Sequence, residues 1–167
     1  MKKTGLGDLF ILAKYRAYRL NTPDYTLGIA PTLGLEFPPG IKTFSSETWD
    51  LNAGLYMSWR RGLWASDSNI VYKWNGFADS GENCTNPGDE LSLNMAFAYQ
   101  FVLGKRARSS LAPVLELNFN HIRVDRLDGH NISDTGETVL HFSSGVKFTT
   151  SSLILEVLLQ NPVTSTK

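Results

Sequence analysis

The stretch ETWDLNAGLYMSWRRGLW, residues 47 to 64, constrains the fold more than any other part of the chain. From Trp49, the side chains of Trp49, Leu51, Ala53, Leu55, Met57 and Trp59 form one series, while Asp50, Asn52, Gly54, Tyr56, Ser58 and Arg60 form the other. A period of two belongs to a β-strand, whose successive side chains point to opposite faces. One face is apolar and the other polar, so the strand separates an oily medium from a polar one. That oily medium is either a protein core or a lipid bilayer.

The same alternation recurs in roughly eight segments of about ten residues, the spacing expected of a strand meander. They run over 8–20, 25–37, 47–64, 68–77, 90–103, 111–123, 138–148 and 153–162. The cleanest sets Tyr25, Leu27, Ile29, Pro31, Leu33, Leu35 and Phe37 against Thr26, Gly28, Ala30, Thr32, Gly34 and Glu36. In the first segment Leu9, Ile11, Ala13, Tyr15 and Ala17 oppose Lys14, Arg16 and Tyr18.

The connections alternate in length. NTPD (21–24), GLWAS (62–66), KRARSS (105–110) and TTSS (149–152) are short, whereas PPGIKTFSSE (38–47), ADSGENCTNPGD (78–89) and VDRLDGHNISDTGE (124–137) are long and polar. An antiparallel meander reverses at each end, so short turns gather at one rim and long loops at the other. Outer-membrane barrels have this asymmetry.

A soluble barrel of the lipocalin kind also alternates, but it turns its apolar face inward and a charged face to solvent. Here the polar series is rich in Gly, Ser, Thr, Asn and Ala. Its charges are of both signs, Lys14, Arg16, Arg60, Lys73 and Lys147 against Glu36, Asp50, Glu90, Glu116 and Glu156. Such a mixture suits a lumen in which charges pair. The apolar series carries aromatics near the segment ends, among them Trp49, Trp59, Trp64, Trp74, Tyr25, Phe37, Phe101 and Phe119, as interfacial girdles do.

Composition narrows the functional classes. The 167 residues hold 16 basic and 16 acidic side chains, so no net field favours nucleic acid. A hydrophobic content of 42% fits either barrel, because alternation averages the two faces. The length suits one domain over 1–167. Cys84 is the only cysteine, so no internal disulfide forms, and no spacing of Cys and His matches a zinc site. MKKTGLGDLFILA resembles an export leader, but Asp8 interrupts it and the apolar run is short, so it reads as a strand.

The opening GLGD with the apolar strand after it, the Pro-containing strand that ends in Pro-Gly at 39–40, and the closing Gln-Asn-Pro-Val at 160–163 together resemble the outer-membrane β-barrel family of the MetA pathway of phenol degradation, whose members are transporter-like. GLGDLFILAKYRAYR (5–19) is similar to its opening strand, TLGIAPTLGLEFPPG (26–40) to its proline-containing strand and loop, and HFSSGVKFTTSSLILEVLLQNPV (141–163) to its closing pattern. The resemblance implies a barrel exported to the outer membrane and a role in moving small molecules, with hydrophobic or aromatic compounds among the expected solutes. No catalytic residue is carried over. Family members have a leader and strands before GLGD and continue past Gln-Asn-Pro-Val, so the resemblance also implies that this chain is trimmed at both ends. Eight strands then either close or leave two unpaired edges, which lipid does not tolerate.

Other chemistries compete with plain structural roles. His121, His141, Ser143 and Glu116 invite a hydrolase, but no G-x-S-x-G elbow is present and polar lumen positions account for them. His130 reads as a solvated loop residue. Asp79, Glu82, Asp89, Asp125, Asp128, Asp134 and Glu137 lack the fixed spacing of a Ca²⁺ loop. The acceptor triplets Asn83-Cys84-Thr85 and Asn131-Ile132-Ser133 read as chance, and Gly5 and Gly7 precede a strand, unlike a nucleotide loop.

The expectation is an all-β antiparallel up-and-down meander forming a transmembrane β-barrel or a large part of one, in a Gram-negative outer membrane. It passes small molecules, without enzymatic activity and without cofactor or metal. Its partners are membrane lipid and a small solute, and its oligomeric state is open. Lys14, Arg16, Glu36, Asp50, Arg60, Lys73, Asn94, Glu116, Asn118, His141 and Lys147 would line or plug the lumen. The competing class is a soluble lipocalin-like barrel around a lipophilic ligand.

Overall fold

A computed structural model of the chain describes residues 8–38, 48–79, 85–103, 109–127 and 130–166. Gly5, Gly7, the stretch 39–47, Glu82, Asn83, Cys84, 105–108 and Asp128 lie outside the described residues. The elements are all strands: β1 (Leu9–Lys14), β2 (Tyr18–Asn21), β3 (Tyr25–Phe37), β4 (Thr48–Arg61), β5 (Trp64–Asp79), β6 (Thr85–Asn86) and β7 (Glu90–Tyr99). They continue with β8 (Phe101–Leu103), β9 (Ser109–Ile122), β10 (Arg126–Leu127), β11 (His130–Asn131), β12 (Glu137–Thr150) and β13 (Ile154–Thr166).

The protein is an all-β antiparallel meander. Its 10-stranded sheet runs β1-β3-β4-β5-β7-β9-β12-β13, with β2 continuing the β1 edge and β8 the β7 ribbon. Each long strand therefore pairs with its neighbours in sequence, the cheapest route for a chain that reverses at every rim. Among the described residues β1 and β13 do not pair with each other, so the sheet is open.

The turn between β4 and β5 is tighter than the sequence suggests. Arg61 pairs with Trp64 across Gly62 and Leu63 alone, and Gly62 has a φ of 56°, a left-handed conformation that glycine adopts without steric cost. The strand expected over 68–77 accordingly begins at Trp64 and reaches Asp79.

The first ribbon departs from the expected phase. Lys14 pairs with Thr32, but Tyr18 pairs with Ile29, so one extra residue sits between β1 and β2. Pro31 lies opposite this break and has no N–H to offer. Its carbonyl accepts the Tyr15 N–H at 3.1 Å, and the neighbouring ribbon bulges where the ladder bond is missing. As a result Tyr18 shares the Ile29 face, not the face of Lys14 as expected, and Arg16 falls in the irregular stretch 15–17.

A second irregularity has a different cause. Leu51 pairs with Trp74 but Trp49 with Ala78, so Asp50 stands opposite three residues, Asn75, Gly76 and Phe77. Gly76 takes a φ of 64°, and its displaced N–H donates to Asp50 Oδ1 at 2.9 Å.

Burial in this sheet is the reverse of a soluble protein's. Among the described residues the only buried hydrophobic side chains are Ala112 and Val114, and both belong to the polar series. Thr32, Thr48, Asp50, Ser110 and Ser143, also of the polar series, are buried with them. The apolar series is open: Leu33 is 58% exposed, Leu55 46% and Leu117 42%, with Met57, Ile70, Leu93, Met95, Phe97, Phe142 and Val146 similarly exposed. The polar face is concave, because one cleft on it is bounded by side chains from β4, β5, β7, β9, β12 and β13 together.

Small residues permit the curl. A Cβ at Gly54 would stand 2.8 Å from Thr32 Oγ1 and 3.0 Å from the Ile70 carbonyl oxygen, so only glycine lets β3 and β5 close around β4 here.

The long connections are not irregular throughout. β6, from the loop after β5, and β10 and β11, from the loop after β9, form a separate 3-stranded sheet, order β11-β10-β6. Asn75 Nδ2 donates to the Gly88 carbonyl at 2.7 Å, and the Gly88 N–H donates to Asp125 Oδ1 at 2.8 Å. Asp89 accepts the Tyr72 hydroxyl at 2.8 Å and meets Arg123 Nη1 at 3.4 Å. The two long loops are thereby tied to each other and to the barrel-like wall.

Candidate functional site

The concave face holds the charged and amide side chains. Alternation puts Lys14, Glu36, Asp50, Arg60, Lys73, Asn94, Glu116, Asn118, His141 and Lys147 on this face, as the cross-strand pairs Glu36↔Asp50, Asn52↔Lys73, Asn94↔Asn118, Ala96↔Glu116, Asn118↔His141 and Ala112↔Lys147 show. Arg16 is apart from them, in the break between β1 and β2, and exposed.

Most of these charges pair within the face. At the long-loop end Glu36 and Asp50 are directly opposite each other on β3 and β4. Like charges in that position repel. Lys73 of β5 resolves the conflict, its Nζ lying 3.0 Å from Glu36 Oε2 and 3.0 Å from Asp50 Oδ2. Asp50 also accepts the Thr48 hydroxyl at 3.2 Å, so this carboxylate is held from three directions.

Toward the short turns, Arg60 Nη2 meets Asp67 Oδ2 at 2.7 Å while the Ser58 hydroxyl donates to Asp67 Oδ1 at 2.6 Å. Lys147 Nζ lies 3.6 Å from Glu156 Oε2 on β13. These pairs border a cleft of about 330 Å³ that Glu116 and Gln100 also line.

Between the two charged ends runs a single cross-strand row, Ala30, Tyr56, Asn69, Asn94, Asn118 and His141, one residue from each successive ribbon. Asn94 Nδ2 donates to Asn69 Oδ1 at 2.9 Å. In the next polar row Ser92 donates to Asn120 Oδ1 at 2.8 Å. Lys14 reaches across β3 and lies over the Tyr56 ring, 4.1 Å from its centroid. Lys14, Tyr56, Asn69, Asn94, Glu116 and Asn118 bound a second cleft of about 350 Å³.

Sequence reasoning missed several of these groups. Asp67 lies in the part of β5 that the tight Gly62-Leu63 turn adds, and the glycine was the signal for it. Asn69 follows from the same extension. Arg19 pairs with Gly28 on the concave side because of the bulge opposite Pro31, which alternation alone does not reveal.

The hydrolytic residues do not assemble. His121 belongs to the apolar row with Leu91 and Thr138, and its Nδ1 lies 2.8 Å from the Thr138 hydroxyl. Ser143 is opposite Glu116 and two positions from His141, but it is only 2% exposed and makes no hydrogen bond to either among the described residues. Nor do three His, Cys, Asp or Glu side chains gather as metal ligands among the described residues.

The outer face has its own order. Trp64, Tyr99 and Phe101 form an edge-to-face chain with centroids 4.7 and 4.9 Å apart near the short turns. Near the long loops Phe37 stacks on Trp49 at 5.5 Å and Tyr72 meets Trp74 edge-on at 4.6 Å. Two aromatic belts thus flank a middle of Leu, Ile, Met and Phe.

No curated protein matches the chain closely enough to count as a relative. Residues 2–160, however, match the sequence profile of the family described as "Putative MetA-pathway of phenol degradation". That match spans nearly the whole chain and takes in the GLGD and Pro-Gly stretches and the closing stretch as far as Gln160. The chain therefore belongs to the family of the MetA pathway of phenol degradation.

Proposed function

We propose that the chain is the wall of a Gram-negative outer-membrane β-barrel that passes small molecules along its concave polar face. The reversed burial carries this reading: rows of leucine and phenylalanine lie open on the convex side while Ser143, Asp50 and Thr32 are shut in. In water such a face would be a large apolar patch, well beyond what soluble monomers expose. In hydrocarbon it is the stable arrangement, because the strand ladders already satisfy the backbone groups inside the sheet.

Dimensions support it. Trp49 and Trp59 are both on β4 and on the same face. Ten residues at about 3.3 Å each, tilted about 40°, place them roughly 25 Å apart along the membrane normal, the height of a lipid-facing band. The short turns and the long, cross-tied loops fall at opposite rims, as periplasmic turns and extracellular loops do. Family membership adds a link to phenol degradation, and small hydrophobic or aromatic compounds are accordingly among the solutes to try.

Expression without detergent separates the classes. Inclusion bodies that refold only in detergent, followed by swelling of reconstituted vesicles in a small solute, support the barrel. A monodisperse protein in plain buffer that takes up a lipophilic ligand supports the lipocalin-like alternative and overturns it. No catalytic step belongs to this reading. Hydrolysis of an ester that disappears in His141→Ala would bring one back.

A further inference from the structure

Most charges of the concave face are neutralised by a neighbour, but the central cleft is an exception. Lys14 lies over the Tyr56 ring and, like Glu116, has neither an ion pair nor a hydrogen bond from its side chain among the described residues. Asp67, the other charge lining this cleft, is occupied by Arg60 and Ser58. A free cation from β1 and a free carboxylate from β9 therefore share one space of about 350 Å³, with Asn94 and Asn118 on its surface.

Glu116 is half-buried, so a carboxylate left single there is costly unless something completes it, while Lys14 is exposed at the mouth of the same cleft and stands ready to hold the other end of an occupant. A simple anion would be drawn to Lys14 and repelled by Glu116, and a simple cation would meet the reverse. A neutral solute would leave both uncompensated. A molecule bearing a carboxylate and an ammonium group satisfies the two together. Asparagine amides between the poles supply both donors and acceptors, so they solvate either end of such a solute without choosing its direction. The cleft volume lies at the small end of ligand sites, about 300–1,000 Å³.

We propose that the cleft between Lys14 and Glu116 is a binding subsite for a small zwitterion, an amino-acid-like solute whose carboxylate meets Lys14 and whose ammonium meets Glu116. This rests on the reading of the concave face as a solute path. The subsite makes the barrel discriminate by charge pattern, since matched anions and cations each meet one repelling group.

The test uses the full chain refolded in detergent and titrated calorimetrically with glycine, 4-aminobutyrate and 6-aminohexanoate, against butyrate, butylamine and butyramide. At least one zwitterion is expected to bind tenfold or more tightly than all three controls, since a hydrogen bond to a charged group contributes about a factor of ten or more. Glu116→Gln is expected to reduce that zwitterion to the level of butyrate, and Lys14→Gln to the level of butylamine. Equal affinities across the set, or zwitterion binding unchanged in both variants, overturns the subsite. Vesicle swelling in glycerol reports separately on the channel. Swelling without zwitterion preference rejects the subsite and leaves the channel standing, whereas zwitterion preference without swelling keeps the subsite and rejects the channel.

Discussion

Replacing Lys73 by methionine removes one ammonium and leaves two carboxylates face to face. At 3.0 Å from both Glu36 and Asp50, and with an effective dielectric of about 20, each attraction is about 5 kcal/mol before desolvation is charged against it. Breaking a fully buried pair by removing one partner costs about 3–5 kcal/mol. Lys73 and Glu36 each keep 26% of their side-chain surface, so the expected loss is nearer to about 2–3 kcal/mol. Lys73→Met is therefore expected to lower the urea midpoint of the detergent-refolded protein by about 1 M, at a slope of about 2 kcal/mol per molar. Adding Glu36→Gln and Asp50→Asn should recover about half of it, because the repulsion disappears while the amide oxygen introduced at position 50 still accepts the Gly76 N–H. An unchanged midpoint in Lys73→Met, or a triple variant no more stable than the single one, refutes the view that Lys73 holds the Glu36–Asp50 pair together.

The remaining predictions probe the two faces and the loops. Leu55→Arg places a charge on the exposed apolar face and should cost about 2–4 kcal/mol in detergent or lipid; unaltered refolding stability would mean the facing is wrong. Asp67→Asn breaks a pair whose partners are about half exposed, so stability should change by less than about 1 kcal/mol. The same substitution should shift ion permeation toward anions, read as a reversal potential across a planar bilayer. Gly88→Ala drives a methyl group into the Arg123 carbonyl, and about 1–3 kcal/mol of overpacking should loosen the tie between the long loops. Faster tryptic cleavage after Arg126 would report that loosening, and an unaltered rate would count against it.

Alternation made the sheet legible because a period of two fixes the face of every residue from any one of them. It failed only where the chain inserts a residue. Opposite Pro31 the phase slips, and Tyr18 and Arg19 exchange faces for a reason located on a different strand. The bulge at Gly76 left every face intact because it inserts two residues, which preserves the period. β6, β10 and β11 were illegible, since two residues cannot display a period and their pairing joins loops that are far apart in sequence. The charged residues of the concave face were readable singly. Which of them would meet was not, because Lys73 reaches Glu36 across an intervening strand and Lys14 reaches Tyr56 in the same way.

Among the described residues only Ala112 and Val114 are buried apolar side chains, and this has a consequence for how the molecule comes to exist. In the outer-membrane reading proposed above, shape and insertion form one equilibrium in which the surrounding acyl chains act as the missing half of the fold. Its stability should then follow the thickness of the host bilayer as closely as it follows any substitution.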